Sequence, residues 1–107
     1  MQCFAEIKTN HGAIAIIQAP ASIELLVQPN AIQLNQGMLV GLCHTERSKG
    51  FLVRTDYADI TDLGTEFAVE ARPDGVDTTV FVGAVEVTMR DGGVQPLTAS
   101  QTARLTL

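Results

Sequence analysis

Tryptophan is absent from this 107-residue chain, and four Phe and one Tyr are its aromatic side chains. So few rings cannot build a base-stacking platform, and they leave little for a sugar-stacking shelf. Positive charge is also scarce: seven Lys and Arg stand against twelve Asp and Glu, a net charge of -5. The seven (Lys8, Arg47, Lys49, Arg54, Arg72, Arg90, Arg104) are scattered, whereas nucleic-acid binding draws its affinity from clustered cations that neutralise phosphates. An anionic membrane surface is disfavoured for the same reason. Cysteine is nearly missing. Cys3 and Cys43 permit one disulfide, but their separation matches no metal or redox spacing, and both thiols are expected to be buried or half-buried. No apolar run approaches the ~18 residues that would cross a membrane. No apolar stretch precedes Cys3 in "MQCF", so no lipid-anchor signal is expected in this chain.

Helical periodicity is the next thing missing. In its place are short runs rich in Val, Ile, Leu, Thr and Phe, each closed by Gly, Pro, Asn or Asp, the pattern of an all-β domain. Apolar residues make up 46% and charged residues 18%, which is globular composition, and the length fits one domain over residues 1–107. Strands are expected at 3–8, 13–18, 23–27, 31–34, 38–44, 51–55, 59–63, 65–71, 78–82, 84–90 and 102–107, with "QPLTAS" among the breaks. "VEARPDGVDTTVFV" reads as a hairpin turning at Pro73–Gly75, and Asp91–Gly93 as a second turn. Gly83 suggests a bulge or a corner where the chain passes from one sheet to the other. The architecture expected is a two-sheet sandwich or jelly-roll of short, mostly antiparallel strands. A β-helix-like roll is the alternative, suggested by a loose nine-residue beat near the N-terminus.

Alternation assigns faces. Phe67, Val69 and Ala71 point one way and Glu66 and Glu70 the other; Val85, Val87 and Met89 oppose Glu86, Thr88 and Arg90. The acidic stretch Asp56, Asp59, Asp62 and Glu66 lacks the calcium-loop pattern and is expected to be solvated turn carboxylate. Cys43 and His44 look like a nucleophile beside its base, but strand neighbours point to opposite faces. His11 sits in a turn, and no HxxxH, CxxC or HExxH spacing offers a metal site. Ser22, Ser48 and Ser100 lie outside GxSxG, and no glycine pattern cradles a phosphate. Gly37 and Gly41 form GxxxG, though in a strand-like run. The expectation is therefore no enzyme, no metal and no cofactor.

With the strands placed, "GFLVRTDYADITDLGTEFAVEA", "DTTVFVGAVEVTM" and "LTASQ" together resemble the FecR family, whose pattern has a "DLGTEF.V" run, a strand ending in Gly before "VEV", and a closing "LTAGQ". "GAIAIIQAPASIELL" and "IQLNQGMLVG" are similar to the family's preceding strands. The resemblance maps Asp62, Gly64, Thr65, Glu66 and Phe67 onto the first turn, Gly83, Val85 and Val87 onto the later strand, and Leu97, Thr98, Ala99 and Gln101 onto the last turn. Two positions depart from it: Val82 stands where Glu is common, and Ser100 where the family has Gly, which implies a turn that tolerates a side chain.

The resemblance implies a non-catalytic signalling or interaction domain, the extracytoplasmic part of a bacterial transmembrane sensor or anti-sigma-factor regulator. It implies a periplasmic or cell-envelope location and a protein partner, such as a receptor's signalling domain or another envelope protein. An exposed strand edge is the expected contact. The alternatives are a carbohydrate-associated or structural envelope module, as in family members that carry lectin-like domains, and a self-associating β-domain. Within "DLGTEFAVE", Gly64 is expected to turn one strand into the next, with Asp62 and Thr65 bonded to backbone N–H groups, so that these residues serve stability rather than recognition.

Overall fold

The computed structural model describes residues 3–106. Ten strands follow one another: β1 (Phe4–Lys8), β2 (Ile14–Leu25), β3 (Ala31–Leu42), β4 (Leu52–Arg54), β5 (Ala58–Asp62), β6 (Glu66–Arg72), β7 (Gly75–Val82), β8 (Ala84–Met89), β9 (Val94–Thr98) and β10 (Thr102–Thr106). A single 3-10 turn, Glu46–Ser48, joins β3 to β4. It is closed by a capping box, in which the Thr45 and Ser48 hydroxyls each accept the other's backbone N–H.

The strands run β10-β7-β6-β3-β4-β5-β8-β9, with β2 on the remaining side of β3 and β1 beyond β2. This is one path, but β3 folds it into two layers. Residues 37–42 of β3 pair with β6, whereas residues 31–33 pair in parallel with β4. The partner β2 bends with it, residues 14–18 against 38–42 and residues 22–25 against 32–36. All other pairs are antiparallel, so the sandwich-like roll expected from alternation is the architecture, and no β-helix coil forms.

The bend has a visible cause. Gly37, at φ +109°, faces Ala21, and a Cβ there would lie 2.5 Å from the Ala21 Cβ. Pro20 sits in the adjoining irregularity of β2, between Gln18 and Ser22, where a missing N–H breaks no ladder bond. The sequence reading took Pro20 and the "NQG" segment as ends of strands. They are bends inside strands, which is why four expected strands appear as two long ones.

β9 is the other correction. "QPLTAS" was expected to be a break, yet Val94–Thr98 pairs with β8, Pro96 opposite Glu86. β9 ends the strand path, and proline is tolerated on an edge. Cys3 is exposed and Cys43 buried, and they form no disulfide, which corrects the expectation of two sheltered thiols.

The core lies between the layers. Leu39, Phe67, Val69, Val76 and Val80 come from one side, and Ile32, Leu34, Val53, Ile60, Val85 and Val87 from the other, all essentially buried. Glu66 and Glu70 lie on the outer face, as alternation requires. Phe51 meets Phe67 at a ring-centroid distance of 6.3 Å, and Phe67 fits because its cross-strand partner is Gly41. A Cβ at position 41 would sit 2.5 Å from the Phe67 ring, so the second glycine of the GxxxG makes room for the largest core side chain of β6. Each fully buried Val, Leu, Ile or Phe contributes roughly 1.5–3 kcal/mol of burial free energy. On the outer surface Asp77 binds Arg72 (2.9 Å) and Arg104 (3.1 Å), tying β6, β7 and β10 together.

Candidate functional site: a row of chain corners

Three connections, every second one from β5 onward, carry the chain from one layer to the other. Leu63–Thr65 links β5 to β6, Gly83 links β7 to β8, and residues 99–101 link β9 to β10. Backbone hydrogen bonds join these corners side by side. Leu63 N–H donates to the Ala84 carbonyl (3.0 Å), Ser100 N–H to the Val80 carbonyl (2.9 Å) and Val80 N–H to the Gln101 carbonyl (3.1 Å). The end of β3 joins the row through Cys43 and Thr65, which exchange both backbone bonds at 2.9 and 3.2 Å. The three motifs "DLGTEF", "VGAVEV" and "LTASQ" therefore occupy one end of the molecule.

At the centre, two glycines touch. Gly64 has φ +101° and Gly83 φ +84°, both in the left-handed region that L side chains avoid. A Cβ on Gly83 would land on the Gly64 carbonyl oxygen, with Thr65 Cγ2 another 3.0 Å away. Position 64 has more room, since a Cβ there would approach Lys49 Cε only to 3.4 Å. Its φ still requires glycine.

Asp62 corrects the sequence reading. It was expected to be a solvated turn carboxylate, but it is fully buried. Asp62 shares strand parity with Ala58 and Ile60, both in the core, and that parity is the signal that could have found it. Oδ1 accepts the Gly64 N–H at 2.9 Å and a short bond from the Thr65 hydroxyl. The Asp62 bond to backbone is thus as expected, whereas Thr65 spends its hydroxyl on Asp62 rather than on an N–H. Oδ2 makes no hydrogen bond of normal geometry, although the Cys43 thiol adjoins the carboxylate. Burial raises the Asp62 pKa, against the lowering effects of Thr65, the Gly64 N–H, Cys43 and Lys49. Burial, together with the Asp62 charge, pushes the Cys43 thiol up to about 12.

The remaining motif residues have assigned places. Phe67, Val85, Val87 and Leu97 fill the core. Glu66 lies outside and meets His44 Nε2 at 2.9 Å, so His44 faces away from the buried Cys43 and no Cys–His pair forms. Gln101 Oε1 accepts the Thr98 N–H (2.7 Å) and closes the last corner. Ser100 has φ +73°, so the serine holds a conformation suited to glycine; the turn bears a side chain under backbone strain. Leu63 and Val82 are exposed beside the row, 44% and 54%. A shallow concavity of about 250 Å³ lies there between His44, Lys49, Gly64 and Val82. Among the described residues no group of three His, Cys, Asp or Glu could hold a metal ion.

The glycine contact can be isolated with a matched pair. Gly83 and Gly92 share a positive φ, +84° and +95°, but a Cβ on Gly92 meets nothing within 4 Å. Gly83→Ala is expected to lose roughly 2 kcal/mol more stability than Gly92→Ala in urea denaturation, the overpacking component alone; equal losses would refute the contact. Asp62 gives a second test. Its folded pKa is raised above 3.8, so the native state holds the proton more tightly and the contribution of Asp62 to stability falls as pH rises from 3.8 through the raised value. The stability of wild type relative to Asp62→Asn should fall over that window and then level off; a rise would reverse the assignment.

No curated protein matches the chain. Two crystal structures of a candidate anti-sigma factor from Parabacteroides distasonis are similar to it, with TM-scores of 0.75 and 0.69 at 17% identity. Each match covers 99% of this chain and 59% of the other, so the chain spans well under two thirds of those proteins. At that identity the likeness is one of fold. The model of the FecR protein family matches residues 15–86, from β2 into the β8 strand that follows the Gly83 corner, and the chain is a member of the FecR family.

Proposed function

We propose that this is a non-catalytic regulatory domain of a bacterial envelope signalling protein, acting by contact with another protein. The observation that carries the reading is the family match over residues 15–86. The fold shared with a candidate anti-sigma factor is consistent with it. The chemistry of the corner row supports a non-catalytic role, because the one buried thiol is held protonated and its neighbouring imidazole is committed to Glu66 on the outside. No helix among the described residues is long and apolar enough to cross a membrane.

The contact we favour is the outer edge of β1, which pairs only with β2. Cys3 accepts the Ala19 N–H and Thr9 donates to the Ala13 carbonyl, so the odd-numbered residues of this strand face β2. Alternation then turns the backbone groups of Phe4, Glu6 and Lys8 outward, where an added strand can take them. Phe4, 62% exposed, offers apolar area beside them. Proline at position 6 would remove an outward donor and leave the β1–β2 ladder intact.

The test is transcript profiling of cells whose gene lacks this domain. A small set of genes should change expression, wild-type domain should restore it, and a folded Glu6→Pro variant should not. Unchanged transcription after deletion would sink the regulatory reading, whereas full restoration by Glu6→Pro would sink only the β1 edge.

A further inference from the structure

Five of the seven Lys and Arg side chains form ion pairs within the fold. Lys49 pairs with Glu46, Arg54 and Arg90 with Asp59, Arg72 chiefly with Asp77, and Arg104 with Asp77. Among the described residues the two cations with no carboxylate partner are Lys8 and Arg47, far apart in sequence. They line the same open concavity, about 390 Å³, formed where the β1–β2 turn meets the 3-10 turn. In a protein of net charge -5 both unpaired cations therefore stand at one place.

The rest of the lining is arranged compatibly. Arg47 is not loose: its Nη2 donates to the Asn10 carbonyl at 3.0 Å, which fixes the guanidinium at the rim and leaves its other N–H groups free. His11 lines the same concavity, and its Nδ1 is buried without a hydrogen-bond partner. The one carboxylate in the lining, Glu46, is engaged by Lys49 at 2.8 Å, so it does not take up the charge of Arg47. The turn itself is stiff, since the Thr9 hydroxyl accepts the His11 and Ala13 N–H groups and donates to Asn30 at 2.7 Å. Charge-assisted bonds from a positioned guanidinium and an ammonium are the usual means of holding an oxyanion.

We propose that this concavity binds an oxyanion, a carboxylate or a phosphate, through Lys8 and Arg47. The site meets the β1 edge at Lys8, of which it uses the side chain and not the backbone, and it stands whether or not the domain regulates transcription. Phosphate and carboxylate share this chemistry, so the probes must separate them.

The experiment is a titration of the protein by ¹⁵N–¹H NMR with glutarate and, separately, with inorganic phosphate, at constant ionic strength set with chloride. Saturable shifts are expected at the amides of residues 9–12 and 45–47. Lys8→Gln and Arg47→Gln should each weaken binding at least about fivefold without lowering Tm, and Arg54→Gln should leave it unchanged. A lower Kd for glutarate would point to acidic side chains as the natural source, and a lower Kd for phosphate to phosphorylated ones; either order upholds the site. Shifts that do not saturate, that spread over all the cations, or that weaken equally in Arg54→Gln would overturn it.

Discussion

The carbonyl oxygen of Gly64 lies where residue 83 would carry its Cβ, and that approach sets how closely two halves of the fold can stand. The corners on either side are the points at which the chain leaves one layer for the other. If they were held apart, the Leu63 bond to Ala84 would lengthen, and so would the facing rows of core side chains that depend on it. Asp62 serves the same joint from inside. Its carboxylate stays in the core because the Gly64 N–H and the Thr65 hydroxyl bind it there, so the turn orders the acid and the acid orders the turn.

Much of this was legible in the residues. Period-two alternation placed Phe67, Val69, Val85 and Val87 inside, because a one-residue slip would have turned each of them to water. Gly83 between two apolar runs announced a bulge or a corner, since a glycine within a strand pattern marks one or the other, and the structure has the corner. What escaped was held by tertiary context. Pro20 and Gly37 read as strand ends, and only their proximity across the β2–β3 pair shows that they bend the ribbon together. Pro96 read as a break because the edge position of β9 is invisible in one dimension. The burial of Asp62 runs against the habit of carboxylates, and the parity that reveals it requires the limits of β5 to be known.

The same geometry divides the motif residues between core and surface. Asp62, Thr65, Phe67, Val85, Val87 and Leu97 are buried, whereas Gly83, Thr98, Ala99 and Gln101 are exposed in the corners. Other features available for contact are the outward backbone groups of β1 and the cations that the internal ion pairs leave over. A fold held by its backbone corners can vary such surfaces with little change to its core.

Native-state hydrogen exchange measures the central claim directly, that the row of corners closes the fold and opens only when the whole molecule unfolds. The amides of Leu63, Thr65, Cys43 and Val80, each bonded within the row, should exchange at the slow limit set by global unfolding, together with the centres of β3 and β6. Exchange at those four amides as fast as at the exposed strand β10 would contradict the account.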